Sequence, residues 1–412
     1  MNAPLHAFAG YGIELEYMIV DRQTLSVVPI ADELLRREAG HYVTEVQRGE
    51  LAWSNELVLH LVELKNPRPT GTLESLPALF QREVQAINQI IEPFGACLMP
   101  TAMHPWMNPL SETRLWPHED AAIYQAYDRI FDCNRHGWAN LQSMHLNLSF
   151  ADDAEFARLH AAVRLVLPIL PALAASSPIA DGRCTGFMDY RMESYRTHPI
   201  KVPSMIGHVI PDTFNSRAAY ESQVLAPMYR DIAALDPQGV LRHEWLNCRG
   251  AIPRFGRNAI EIRVIDVQEC PAADLAIAAA VSFVLKMLYD AAKASLEMQQ
   301  SISTEALADI MLSCNRDGEQ AVIDNDEYLR IMGFPARHCE ARELWQHLID
   351  GLGQGSGDQR MTWLEPLRVI LEHGTLSRRI LEAVGSDCSK PVLEKVYREL
   401  CACLAEGRMF HG

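Results

Sequence analysis

Apolar and polar positions alternate in a way that predicts strand at four places along this chain. Tyr11–Asp21 (YGIELEYMIVD) alternates over its first half and is rich in strand formers. Glu14 and Glu16 therefore share one side, and Leu15 between them points into a core. Glu56–Lys65 (ELVLHLVELK) reads as a second strand that stops at the breaker Asn66-Pro67-Arg68-Pro69. Ser143–Phe150 (SMHLNLSF) alternates strictly, with His145, Asn147 and Ser149 on one face and Met144, Leu146, Leu148 and Phe150 on the other. Ala259–Val267 (AIEIRVIDV) sets Glu261 and Arg263 against Ile262 and Val264.

Between these segments the spacing becomes helical. Leu73–Ile91 carries apolar residues at helical intervals, with Thr72 or Ser75 as the N-cap. Asp152–Leu173 reads as a helix that ends in a proline-interrupted run. Asp181–His208 is polar and reads as a long loop, a kind of segment that often carries function. Pro271 opens an Ala-rich helix over about 272–299. The remainder is mostly helical. Its one Gly-rich break, Gly351–Gly357 (GLGQGSG), lacks the Gly-Lys-Ser/Thr ending of a phosphate loop and reads as a connector. The whole pattern predicts an α+β fold: a large antiparallel sheet with one wet, functional face and one helix-covered face.

Composition adds exclusions. Hydrophobic residues at 48% and charged residues at 22% of 412 allow a sizeable core and argue against disorder. A formal net charge of -16 disfavours non-specific binding to nucleic acid or to an anionic membrane. Neither Ala161–Ala175 nor Ala276–Leu288 reaches the ~20 uninterrupted apolar residues of a membrane span. Met1–Gly10 lacks the basic and apolar regions of a secretory signal. Ten scattered cysteines without a Cys-x-x-Cys pair read as reduced thiols, so the expected location is the cytoplasm.

The candidate chemistry lies on the polar strand faces. Two carboxylates at i, i+2, Glu14 and Glu16, repel, and one keeps its proton unless a cation sits between them. A hard divalent ion such as Mg²⁺ or Mn²⁺ prefers such oxygen ligands. Glu56 and Glu63 fall on opposite faces of an ideal strand, so they reach one site only across a bulge or bend. His145 offers an imidazole, a minority ligand for such ions. Glu261 beside Arg263 is either a surface ion pair or a metal ligand next to a phosphate clamp. Each feature alone has an ordinary structural explanation. Four segments that present carboxylate, imidazole and guanidinium together fit a nucleotide site where several ions neutralise a triphosphate.

These same segments, in this order from about residue 10 to 290, resemble the glutamate–cysteine ligase family, in particular its carboxylate–amine ligase branch. Gly12-Ile13-Glu14-Leu15-Glu16-Tyr17 is similar to its opening strand, Glu56 and Glu63 to its next acidic pair, and Met144-His145-Leu146-Asn147 to its metal-binding strand, which glutamine synthetase shares. Ala259–Arg263 with Asp266, followed by Pro271, resembles its late Glu-x-Arg strand. The sequence departs from that branch at Asn147, where a second histidine is common, and at Cys248–Arg254, which has no clear counterpart. The resemblance implies a glutamine synthetase-like catalytic fold whose antiparallel sheet forms a funnel. It implies a catalytic core over 1–290, with a helical region over 291–412 packed on it. It further implies ATP and two or three Mg²⁺ or Mn²⁺ ions, with Glu14, Glu16, Glu56, Glu63, His145 and Glu261 as metal ligands. Arg263 would touch ATP phosphates, with Glu261 and Arg263 as the catalytic pair, and Tyr190-Arg191 or Tyr195-Arg196 would hold the acid substrate.

The implied activity is ATP-dependent formation of a γ-glutamyl-type amide between a glutamate-like acid and an amine, through an acyl phosphate. Other functions compatible with the residues are a phosphotransferase of the same superfold, a non-catalytic nucleotide- or metal-binding relative, and an acidic interaction scaffold. A two-fold homodimer is the expectation from the frequency of that symmetry alone.

Overall fold

The computed structural model describes residues 4–290, 294–350 and 361–412. The Gly351–Gly357 break lies outside the described residues. In chain order the first six strands are β1 Tyr11–Asp21, β2 Glu45–Arg48, β3 Leu51–Asn55, β4 Leu61–Lys65, β5 Ala96–Met99 and β6 Ser143–Ser149. A small hairpin follows, β7 Ile179–Ala180 with β8 Arg183–Cys184, and then β9 Ala251–Arg254 and β10 Ala259–Asp266. The main sheet runs β2-β3-β4-β1-β6-β10-β9, with β5 added to β1. Its pairings are all antiparallel. The strand β1 is central because its 11 residues serve three neighbours: β6 along its start, β4 along its middle and β5 at its end.

Three expectations are corrected. Glu56–Lys65 is not one strand. Strands β3 and β4 form an antiparallel pair, and 56–60 connects them. The connection looks strand-like in sequence because it is itself buried. Val58 and His60 are fully buried, the Leu59 amide donates to the Arg114 carbonyl at 2.8 Å, and the His60 ring lies 2.9 Å from the Ala139 carbonyl. Asp181–His208 is not all loop. It contains β8, the second strand of the small hairpin, and a helix, Tyr190–Tyr195, whose N-cap Asp189 accepts from the Met192 amide at 2.8 Å. The Ala-rich helix spans Pro271–Tyr289, and a separate helix covers Leu296–Ser301.

The N-cap of the Leu76–Ile91 helix is Ser75, not Thr72. Asp152 caps Asp153–Val166 through the amides of Ala154 and Glu155, and Pro168 and Pro171 then break the run into a 3₁₀ turn and a short helix.

The apolar sheet face buries Ile13, Leu15, Tyr17, Met144, Leu146, Leu148, Ile260 and Ile262 in one core with Phe80, Val84, Leu159, Ile277 and Val281 of the three long helices. Full burial of each such side chain stabilises by roughly 1.5–3 kcal/mol, so this face fixes the register that turns Glu14 and Glu16 outward. Pro271–Tyr289 is long and apolar enough to cross a membrane, but 67% of the relevant window is buried within the protein. It packs against the Leu76–Ile91, Asp153–Val166 and Met361–His373 helices, which is the behaviour of a core helix. A second apolar cluster joins the Leu376–Val384 and Lys390–Glu406 helices to Met18, Val20 and Met99 at the far end of β1 and β5.

Candidate active site

Register places the chemistry. In the antiparallel ladder Glu14 stands opposite both Lys65 and His145, Glu16 opposite Glu63, Glu63 opposite Ser54, and Glu261 opposite Asn147. Side chains on one sheet face at paired positions lie close enough to interact directly. The result is one polar patch across β3, β4, β1, β6 and β10, on the face opposite the core.

The hydrogen bonds within the patch are specific. His145 Nδ1 lies 2.6 Å from Glu14 Oε2, and Asn147 donates to Glu14 Oε1 at 3.2 Å. Glu16 Oε2 accepts from the Ser143 amide at 2.6 Å and from its hydroxyl at 3.0 Å. Ser54 donates to Glu63 Oε1 at 2.8 Å, and Lys65 Nζ lies 3.0 Å from the same oxygen. Glu261 is held by Arg254 at 2.7 and 3.1 Å and by Arg263 at 3.1 Å. A bulge in β10 between Ile262 and Ile265 shifts the strand just where Arg263 leaves it.

The charges conflict in part. Burial opposes ionisation of Glu14, but the His145 hydrogen bond and charge outweigh it, so this carboxyl sits below its ordinary value. Glu16 sits above its own: burial and Glu63 prevail over His145 and Ser143. Glu56 is pushed well up by burial and by the carboxylates of Glu16 and Glu63. For Glu261, burial loses to the guanidinium charges of Arg254 and Arg263, and its carboxyl lies well below the usual range. Carboxylates crowded in this way call for a cation.

Two groups of three have the donors to hold one. One ligand atom each from Glu14, Glu63 and His145 lies within 4.8 Å of the others, and so does one each from Glu16, Glu56 and Glu63. Glu63 belongs to both. The set is carboxylate oxygen with a single imidazole, which suits Mg²⁺ or Mn²⁺ better than softer ions. The bend that Glu56 and Glu63 require is the 56–60 connection. Glu261, expected as a ligand, belongs to neither triad; its oxygens face Arg254 and Arg263.

The 181–198 segment separates its candidates. Arg191 is buried against the patch: its Nε donates to Asp266 at 2.5 Å, its Nη1 to the Arg263 carbonyl at 3.4 Å, and its Nη2 has no partner among the described residues. Tyr195 turns its hydroxyl toward Arg263 and Cys248. Arg196 is exposed and pairs with Glu193, and Tyr190 lines a different cleft with His136, Glu193 and His198. The structure thus brings Arg191 and Tyr195 to the site, one residue from each predicted pair, because they sit four apart on one helical turn.

Lys65, Arg254 and Ser143 were missing from the residues singled out in sequence. Lys65 was legible as the next same-face residue after Glu63. Arg254 was not, since Pro253 disguises the edge strand β9 as a break.

The family model for glutamate–cysteine ligase family 2 matches residues 11–399. The chain belongs to this family. As a member it is an ATP-dependent ligase that forms carbon–nitrogen bonds. An uncharacterised protein of Archaeoglobus fulgidus is 30% identical over 399 residues, covering 97% of this chain and 99% of its own. A Herpetosiphon aurantiacus protein provisionally named glutamate–cysteine ligase 2 is 24% identical, covering 94% and 92%. One of the same provisional name from Bradyrhizobium sp. (strain ORS 278) is 29% identical over 66% of this chain, and the match spans 59% of that relative. Among solved structures, glutamate–cysteine ligase from Francisella tularensis in complex with AMP is similar with a TM-score of 0.62 at 13% identity, covering 98% of this chain and 90% of that one. The bifunctional glutathione synthetase of Pasteurella multocida gives 0.59 at 15% identity, covering 96% and 53%. Both likenesses establish the shared fold, an antiparallel sheet with helices packed on it.

Proposed function

We propose that this family-2 ligase activates the carboxylate of a small γ-glutamyl-type acid with ATP, through an acyl phosphate, and transfers the acyl group to an amine, as in the carboxylate–amine branch. The observation that carries the reading is the meeting of Glu14, Glu16, Glu56, Glu63 and His145 in two ligand triads beside Arg263.

An acid and an amine in water do not condense without activation. The acid's carboxylate oxygen attacks the γ-phosphorus of ATP, the bond to the β–γ bridging oxygen breaks, and ADP leaves. The amine nitrogen then attacks the acyl carbon, the bond to the phosphate oxygen breaks, and inorganic phosphate leaves as the nitrogen gives its proton to water. Mg²⁺ or Mn²⁺ held by Glu14, Glu63 and His145 and by Glu16, Glu56 and Glu63 would neutralise charge on the phosphate oxygens. Arg263, anchored by Glu261, faces the transferring phosphoryl group and needs no reorganisation as charge moves. Arg191 orients the acid's carboxylate through the Nη2 that Asp266 leaves unoccupied. Tyr195 borders the same space.

A phosphate-release screen over acid and amine pairs with Mg²⁺ and Mn²⁺ tests the reading. Release that requires both an acid and an amine, with an amide of the summed mass less water, is the expected result. ADP release that needs a single phosphate acceptor and yields no amide would place the protein among phosphotransferases instead.

A further inference from the structure

Arg191 is held at both ends, by one hydroxyl and one carboxylate. Its Nε donates to Asp266 Oδ1 at 2.5 Å, and its backbone amide donates to the Ser177 hydroxyl at 3.1 Å. The Ser177 hydroxyl in turn donates to Asp266 Oδ2 at 2.9 Å. These three contacts close a ring that ties the Arg191 backbone to the carboxylate gripping its side chain. Arg191, Ser177 and Asp266 are all buried. Asp189 Oδ1 lies 3.5 Å from the same hydroxyl but already accepts from the Met192 amide at 2.8 Å. A hydroxyl has one proton to give, and Asp266 at the shorter distance receives it.

Ser177 has little freedom of its own. Its amide donates to the Met188 carbonyl at 3.3 Å, and its carbonyl accepts from the Tyr190 amide at 3.2 Å. Ser377, on the Leu376–Val384 helix, donates its hydroxyl to the same Met188 carbonyl at 2.5 Å and its amide to the Ala175 carbonyl at 2.9 Å. The stretches leading into Ser177 and into Arg191 are thus clamped together by a third element. A side chain fixed through such a network presents its remaining donor in one place, and a ligand that uses the donor does not have to order it first.

We propose that Ser177 is a positioning residue for the acid substrate, its hydroxyl holding Arg191 in the orientation in which Nη2 meets the acid's carboxylate. The inference rests on the role given above to Arg191, and Ser177 acts through that arginine without touching the acid. Ser177→Ala takes the acceptor from the Arg191 amide and leaves Asp266 Oδ2 with the Ser176 amide at 2.8 Å. Asp266 is then freer to turn, and the guanidinium with it. The acid has to order this arginine as it binds, whereas ATP, which meets Arg263 and the carboxylate cluster in the same reading, binds as before.

Steady-state kinetics on the full-length protein test this, with ATP, Mg²⁺ and the acid and amine that the phosphate-release screen selects, L-glutamate being the first acid. Ser177→Ala should raise KM for the acid about 5- to 10-fold, the scale of one hydrogen bond within a charged network, with kcat and KM for ATP changed by no more than about 2-fold. Made in Arg191→Lys, the same substitution should add no more than about 2-fold, because both act on one contact. Should melting curves show that Ser177→Ala misfolds, Ser177→Cys, whose thiol is only a weak donor and acceptor, is read the same way. An unchanged KM for the acid, an equal rise for acid and ATP, or a full further rise in Arg191→Lys would each overturn the proposal and leave the proposed reaction standing. Phosphate release that no acid stimulates, or an Arg191→Lys protein with unaltered KM for the acid, would instead overturn the reading of the site, and this inference with it.

Discussion

Arg254 grips Glu261 across the β9–β10 pair through two nitrogens, Nε at 2.7 Å and Nη2 at 3.1 Å. Glu261 is buried and Arg254 is 14% exposed, so the loss of Arg254 leaves the carboxylate beside Glu14 with Arg263 alone. A hydrogen bond to a buried charged group contributes about 1.5–3 kcal/mol. Arg254→Ala is expected to lose about that much by urea unfolding. Arg254→Lys should recover only part of it, because a single ammonium does not reproduce two parallel hydrogen bonds.

Glu56 tests whether the carboxylate cluster is built for cations. Its carboxyl is destabilised by burial, then by Glu16 and Glu63, in protein without metal. Glu56→Gln removes a charge the fold resists. Its melting temperature in chelator should therefore rise by roughly 2 °C or more over the unaltered protein. The further rise caused by Mg²⁺ or Mn²⁺ should shrink, because one ligand is gone. A metal response of undiminished size would remove Glu56 from the ligand set.

The two arginines of the 181–198 segment predict opposite kinetics. Arg191 is fixed by Asp266 with a buried Nη2 that has no partner among the described residues, whereas Arg196 is exposed with Glu193. Arg191→Lys should raise KM for the acid by about 10-fold or more, the scale of one lost charge-assisted contact. Arg196→Ala should leave KM and kcat unchanged. Steady-state kinetics on the two variants, with melting curves to show folding, distinguish them.

Much of this site was legible in sequence because strict alternation leaves only one choice of face. β1, β6 and β10 each set a polar row against Leu15, Leu146 and Ile262, and the pairing Glu14–His145 follows from register. The reading failed where burial replaced alternation. The 56–60 connection reads as strand because Val58 and His60 are buried there, so the link and β4 looked like one strand. The Tyr190–Tyr195 helix was hidden because it is short and polar, and only its cap, Asp189, carries a local signal. Arg191 and Arg196 are chemically alike in sequence, and only the Asp266 contact across the fold separates them.

Acid should unfold the protein early, for a reason remote from the site. His160 is fully buried among Phe156, Phe214 and Tyr220, and neither ring nitrogen has a partner among the described residues. Burial, then Arg164 and Arg249, lowers its pKa from 6.5 to about 3. The unfolded chain binds a proton there that the folded chain refuses, so stability falls as pH drops from 6.5 toward 3. At pH 5 this one residue costs roughly 2 kcal/mol. Urea unfolding of His160→Phe should show a shallower loss between pH 7 and pH 5 by about that amount; an identical slope would contradict the assignment.

Anomalous diffraction from crystals grown with Mn²⁺ and a non-hydrolysable ATP analogue measures directly whether the Glu and His side chains of this sheet face gather divalent ions around a nucleotide. The expected result is manganese peaks bound by Glu14, Glu63 and His145 and by Glu16, Glu56 and Glu63, with phosphate oxygens completing their coordination beside Arg263. Manganese and analogue bound elsewhere, with this cluster empty, would contradict it.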